Sequence, residues 1–248
     1  MKSRLPDIFT GLNLLCGLFA VNFSIQYNFL AASLLLLLAI LFDGLDGVFA
    51  RKYGSNHNKG HYLDSIADSI SFCLAPGLLV FFAFYNFSNS NLINTLLVFI
   101  TTLLIITLGI LRLLRFSLRG YQLTNFEGVP TPAMALTVMI TLVLFGGNGY
   151  ALYKEEPLIV IPLLIITSSL MVSKIEYPKI RFNNFTSFGL LLAFFTSLAI
   201  GLRYWADDRS SMFYSIAFLS GTIAFVTILL YLGFGPVYCK KVVGSKNL

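Results

Sequence analysis

The sequence predicts an all-α integral membrane protein of about eight transmembrane helices, and three observations carry that expectation. Hydrophobic residues make up 57% of the 248-residue chain and charged residues only 11%, about half the charged share of a soluble domain. Apolar runs recur from end to end, with no polar block long enough for a second domain, so residues 1–248 are expected to form one polytopic membrane domain. The runs do not alternate in polarity, which argues against barrel strands.

The first run follows Lys2 and Arg4 and resembles a signal peptide only at first sight. It is long, it carries Asp7, Thr10 and Asn13, and it lacks a convincing small-residue cleavage site, so residues 1–27 are expected to contain the first transmembrane helix. Thr10 and Asn13 lie near its charged end, in reach of either a headgroup or a neighbouring helix. The second run starts at Phe29 and stays apolar through Phe42. That is short for a span, so the helix is expected to continue to Arg51. A polar loop, 52–59, leads to a third helix from Gly60 to Tyr85, where Pro76 predicts a kink or local unwinding. Further spans are expected at 91–113, 130–147, 157–174, 185–204 and 212–234.

This layout divides the positive charges unevenly. Lys2, Arg4, Arg51, Lys52, Lys59, Arg112, Arg115, Arg119, Lys174, Lys179, Arg181, Lys240, Lys241 and Lys246 fall on one side, fourteen of the 17 Lys and Arg residues. Lys154, Arg203 and Arg209 fall on the other. By the positive-inside rule, both termini face the cytoplasm, and the cytoplasmic membrane is the expected location. Cys16, Cys73 and Cys239 are odd in number and far apart, so they read as small apolar residues with neither disulfide nor zinc implied. His57 and His61 read as solvated loop residues.

The stretch from Asp43 to Asp68 carries the chemistry: DGLDGVFARKYGSNHNKGHYLDSIAD. Carboxylates at the edge of hydrocarbon are costly and mark a functional site by default. Asp43, Asp46, Gly47 and Ala50 stand at i, i+3, i+4 and i+7, one stripe of a helix, and Gly60, Asp64 and Asp68 form a second stripe at i, i+4 and i+8. Facing stripes would bring four carboxylates to one hollow, with Arg51 at its rim. Clustered acids repel unless a cation neutralises them. An all-oxygen ligand set suits Mg2+ or Mn2+, and two such ions would suit a pyrophosphate. On the same side, Arg112, Arg115 and Arg119 lie at i, i+3 and i+7, as either an anionic-lipid anchor or a phosphate clamp. FEGVPTP at 126–132 reads as a rigid turn, and Ser173-Lys174 closes the sixth span.

The pattern Asp43-x2-Asp46-Gly47-x2-Ala50-Arg51-x8-Gly60-x3-Asp64-x3-Asp68 resembles the signature of the CDP-alcohol phosphatidyltransferases. LDSIADSISFCLAPG from Leu63, LRLLRF from Leu111, GVPTPAMA from Gly128 and LMVSK from Leu170 are similar to segments of that family's phosphatidylserine synthases. Cys73 departs from the subgroup, which has Gly after Ser-Phe, and puts local helix packing in question. The resemblance covers about residues 6–181. It implies a six-helix catalytic core, with the helices of about 185–234 added to it.

It also implies a reaction: transfer of a phosphatidyl group from CDP-diacylglycerol to L-serine, giving phosphatidylserine and CMP in phospholipid biosynthesis. Mg2+ or Mn2+, as two ions, would be held by Asp43, Asp46, Asp64 and Asp68, with Asp68 also the general base. The donor would meet Asp46, Gly47, Ala50, Arg51 and Gly60, together with Thr10 and Asn13. Gly47 and Gly60 would admit the nucleotide close to the backbone, or serve helix packing. Arg112, Arg115, Pro130, Thr131, Ser173 and Lys174 are expected to bind the acceptor or the donor phosphate. Membrane lipids are the expected surroundings, nucleic acid is not an expected partner, and a homodimer is admitted.

Rival readings remain. Within the class, the acceptor could be glycerol 3-phosphate, inositol phosphate or an archaeal-type alcohol. A membrane prenyltransferase also uses Asp-rich motifs and Mg2+, but on helices far apart in sequence, whereas here both clusters share one helix–loop–helix. A cation transporter would need acids near the bilayer midplane, and Arg51 beside them disfavours a cation path.

Overall fold

The computed structural model describes residues 5–53, 58–85, 92–119, 126–146, 152, 156–177, 195–196, 198–202 and 212–244. Helices α1 (Leu5–Ile25) and α2 (Phe29–Tyr53) form an antiparallel pair. Tyr27 takes a positive φ of 59° in the turn between them, and Asn28 caps α2, its side-chain oxygen accepting the Ala31 N–H at 3.2 Å. Helix α2 continues through the acidic segment, as its apolar length requires.

The third span is interrupted as Pro76 predicts. Helix α3 (Asn58–Asp68) passes into a π-helical turn (Ser69–Leu74) and then α4 (Ala75–Ala83). Within the widened turn the Ala75 N–H reaches back to the Ile70 carbonyl. Proline has no N–H and its ring crowds the carbonyl four residues earlier, so the extra residue in the turn relieves the clash without breaking the span. The turn starts one residue after Asp68, so the irregularity borders the acidic cluster.

Helix α5 (Leu92–Arg119) has 28 residues and is about 42 Å long, six residues beyond the expected end at 113. Its helical period persists past the apolar run: Leu111, Leu114 and Leu118 face outward while Arg112 is buried. A two-residue antiparallel ribbon then joins β1 (Phe126–Glu127) to β2 (Glu176–Tyr177), with Phe126 opposite Tyr177. Between the strands lie α6 (Thr131–Phe145) and α7 (Pro157–Val172). Helix α6 is short for a span but occupies the centre of the bundle, with 12 of its 15 residues buried. Its Thr137 and Thr141 hydroxyls bond the Ala133 and Thr137 carbonyls of their own helix, so no polar group there is left to lipid. Helix α8 (Met212–Gly244) runs ten residues past the expected end at 234 despite Pro236.

Among the described residues, five helical segments are long and apolar enough to cross a membrane, and α6 and α7 are shorter apolar helices. The core joins Leu36, Leu79, Ile105, Met139, Ile140 and Leu164. Large apolar side chains such as Leu41, Phe99, Leu103 and Leu230 face outward, as a bilayer solvent demands. This is an all-α integral membrane protein. The seventh expected span, 185–204, lies mostly outside the described residues. Helix α7 ends at Val172 beside Arg115, at the carboxylate end. Helix α8 begins at the opposite end, where the Tyr214 hydroxyl bonds the Leu152 carbonyl. Residues 198–202 are helical, with Ala199 and Ile200 fully buried.

Candidate active site

The acidic site is built where the last turns of α2 meet α3. Carboxylate oxygens of Asp43, Asp64 and Asp68 lie within 4.8 Å of one another. At that separation each pair of ionised groups repels by about 3 kcal/mol at an effective dielectric near 20. The fourth carboxylate, Asp46, interacts electrostatically with Asp64 and Asp68 but sits outside the tight trio. It is 7% exposed and accepts the Thr10 hydroxyl at 3.1 Å. The two stripes therefore face each other, three carboxylates in close register and the fourth held by α1.

Helix α1 supplies the neutral side of the site. Thr10 and Asn13, one turn apart, reach neighbouring helices: the Asn13 amide donates to Asp68 Oδ1 at 3.1 Å. Its own backbone carbonyl accepts the Ser71 hydroxyl at 2.9 Å, which ties the π-turn to α1. Asn13 is fully buried, and its side-chain oxygen has no hydrogen-bond partner among the described residues. An unsatisfied buried acceptor beside three convergent carboxylates is what a cation site looks like before its ion is counted. The residues present fit a hard divalent cation.

Gly47 faces open space, since nothing lies within 4 Å of where a Cβ would stand. Helix packing therefore does not require a glycine there. Beside it, Phe9 stacks on Phe49 with centroids 5.2 Å apart and tilts against Phe42 at 6.3 Å, walling one side of the α1–α2 seam. Ala50, Arg51 and Gly60 continue the helices of the site, but their side chains lie outside the described ones.

The two arginines of α5 separate. Arg112 is 8% exposed and lies within electrostatic range of Asp68, Cys73 and Tyr231. Arg115 forms an ion pair with Glu127 at 3.0 Å and donates to the Val172 carbonyl at 2.9 Å. It braces β1 and the end of α7. Around it, Gly128 adopts φ 75° with its Cα against the Met171 carbonyl, where any Cβ would collide. The N–H groups of Gly128 and Val129 bond the Ile175 and Leu170 carbonyls. Pro130 then caps α6 in an extended conformation, and Thr131 is buried in its first turn. The Ser173 hydroxyl donates to the Leu170 carbonyl at 2.8 Å, finishing α7, while Lys174 is exposed beyond it. Among the described residues, neither Ser173 nor Lys174 bonds a carboxylate of the acidic site.

Sequence reading passed over Glu127, Ser71, Gly109, Tyr177 and Tyr231, all of which brace the site. Only Glu127, inside the turn motif, carried a local signal.

The fold and site define a class: a membrane-embedded enzyme whose carboxylates converge at one end of a helical bundle. Residues 3–175 match the family model described as CDP-alcohol phosphatidyltransferase, and the chain belongs to that family. It is 38% identical over 178 residues to an archaetidylserine synthase of Methanothermobacter thermautotrophicus, covering 71% of this chain and 70% of that protein. It is 35% identical to a CDP-diacylglycerol–serine O-phosphatidyltransferase of Methanocaldococcus jannaschii, covering 71% and 74%. A protein of the same name from Bacillus subtilis is 29% identical, covering 71% and 91%.

Proposed function

We propose that this protein transfers a phosphatidyl group from CDP-diacylglycerol to L-serine, releasing CMP. The observation that carries this reading is the convergence of Asp43, Asp64 and Asp68 within 4.8 Å, in a chain whose relatives' names share serine as the acceptor. The names differ in the lipid. An archaetidyl donor is the second reading, favoured by the name of the Methanothermobacter relative.

In the proposed site, Asp43, Asp46, Asp64 and Asp68 would hold Mg2+ or Mn2+, as two ions, which would supply charge neutralisation of the pyrophosphate and of the departing CMP. Thr10 holds Asp46 and Asn13 holds Asp68, so α1 orients two of the four carboxylates. The open face of Gly47 leaves room for the nucleotide to approach the backbone. Ala50, Arg51 and Gly60 complete the donor contacts by resemblance. With one Asp68 oxygen engaged by Asn13, the other takes the proton from the serine hydroxyl. The serine oxygen bonds the lipid-linked phosphorus, the phosphorus–oxygen bond to CMP breaks, and CMP leaves with the electron pair.

Arg112, buried beside Asp68, binds the serine carboxylate or the transferring phosphate. Arg115, Pro130, Thr131 and Ser173 shape the wall behind it, and Lys174 stands at the surface. The acidic end and both termini face the cytoplasm, on the charge partition of the sequence.

The test is CMP release by the purified protein with CDP-diacylglycerol and Mn2+, varying only the alcohol. Serine should be the fastest acceptor. A higher rate with glycerol 3-phosphate or inositol phosphate would move the protein to another branch of the family.

A further inference from the structure

The widened turn of the third span puts a serine against α1 beside the acidic site. Ser71 stands three residues after Asp68 and is fully buried. Its hydroxyl donates to the Asn13 backbone carbonyl at 2.9 Å, and the Asn13 side-chain amide donates to Asp68 Oδ1 at 3.1 Å. One residue of α1 therefore grips the third span at two points, by its backbone at Ser71 and by its amide at Asp68. A serine in this span has another partner within its own helix: Ser69 turns its hydroxyl back on the Ser65 carbonyl at 2.7 Å. Ser71 crosses to a neighbouring element instead.

Gly17 makes that crossing possible. In a regular α-helix the Asn13 carbonyl accepts the N–H four residues on, which is that of Gly17, and its second lone pair is within reach only if residue 17 leaves room. A Cβ on Gly17 would overlap the Ser71 hydroxyl and stand 2.9 Å from the Ser71 Cα, whereas nothing lies within 4 Å of a Cβ on Gly11. The Asn13 side-chain oxygen has no hydrogen-bond partner among the described residues, so no second bond steers the amide. The torsion that turns an amide is soft, and the place of the Asn13 backbone then decides how the amide meets Asp68.

Resting on the transfer reaction proposed above, we propose that Ser71 is a positioning residue for Asp68: its bridge to the Asn13 backbone, admitted by Gly17, fixes the height at which the Asn13 amide holds one Asp68 oxygen and leaves the other to the acceptor. Ser71 itself touches no substrate. Its effect falls on the transfer step and not on donor affinity.

The experiment uses the full-length protein and steady-state CMP release, with acceptor and donor varied separately. Ser71→Ala removes the hydroxyl and leaves the room beside Gly17 as it is. Its kcat should fall about fivefold, the worth of one neutral hydrogen bond, with the donor KM unchanged. In an Asp68→Asn background the same substitution should change kcat by less than about twofold, because its effect runs through that carboxylate. Gly17→Ala should also lower kcat, and by a smaller factor once Ser71→Ala has removed the overlapping hydroxyl. An unchanged kcat in Ser71→Ala, a donor KM that rises as far as kcat falls, or full additivity with Asp68→Asn would overturn the proposal. The ratios are taken with the alcohol that the wild-type protein uses fastest, so a preference for an alcohol other than serine fails the proposed acceptor and not this inference. Absence of transfer to any alcohol would fail both.

Discussion

Cys73 occupies its place because Gly109 stands opposite. A Cβ built on Gly109 would meet the Cys73 sulfur at 2.6 Å, so the bulk added on the π-turn is taken up by the absence of a side chain on α5. Arg112 lies one turn further along α5, and its place beside Asp68 depends on that packing. Gly109→Ala should destabilise the protein by about 1–3 kcal/mol, the usual cost of overpacking, and lower transfer activity. Adding Cys73→Gly should restore both, and thermal unfolding of the two single variants and the double variant measures the coupling. Additive losses would show that the contact does not set the helix spacing. A second residue-scale prediction concerns the carboxylates. Asp68→Asn should retain donor binding by calorimetry while CMP release falls by roughly 10² to 10⁴, whereas Asp43→Asn and Asp64→Asn should lose donor and metal affinity together. Equal loss of donor affinity in all three would make Asp68 chiefly a ligand. The carboxylates were legible in the sequence because the helical period alone fixes which residues share a face. The roles of Arg112 and Arg115 were not, because both lie on one predicted face and only the fold brings Glu127 and the Val172 carbonyl to the second of them.

At the scale of elements, α2 and α3 are held together against the repulsion of their own carboxylates, so a bound cation should stabilise the helix pair. Mn2+ at about a hundred times its dissociation constant should add about 2.7 kcal/mol, read as a rise in melting temperature in detergent. That rise should vanish in Asp43→Asn, and activity should vanish with chelator. A melting temperature indifferent to Mn2+ would remove the metal reading without reference to turnover. The ribbon is a second element whose role can be tested. Arg115 and Glu127 are both about a quarter exposed, so Glu127→Gln should cost at most about 1 kcal/mol. Arg115→Met should cost more, since the Val172 carbonyl loses its donor at the end of α7. The ribbon was illegible in advance: two residues per strand carry no periodicity, and its partners lie on either side of two helices. The widened turn before Pro76 was legible, because proline chemistry acts locally.

Among the described residues, the contacts that tie the helices to the site gather at one end of the bundle. Asp46 and Asp68 are bonded from the first turns of α1, Arg115 closes α5 and α7, and Tyr231 and Leu232 bring α8 back to the ribbon. Each contact lies at the same end of the bundle, so the start of α1 and the end of α8 meet at that end. On the span layout expected from the sequence, fourteen of 17 basic residues fall in the connections at the acidic end, and the positive-inside rule then predicts that this end faces the cytoplasm. A reporter fused after Leu248 should therefore be cytoplasmic, and one inserted at Asn89, between α4 and α5, should lie on the opposite face. Reporters on the same face would show an even number of passes between them and break the layout. Reporters on opposite faces, but each on the face predicted for the other, would keep the bundle and place the carboxylates on the side away from the cytoplasm.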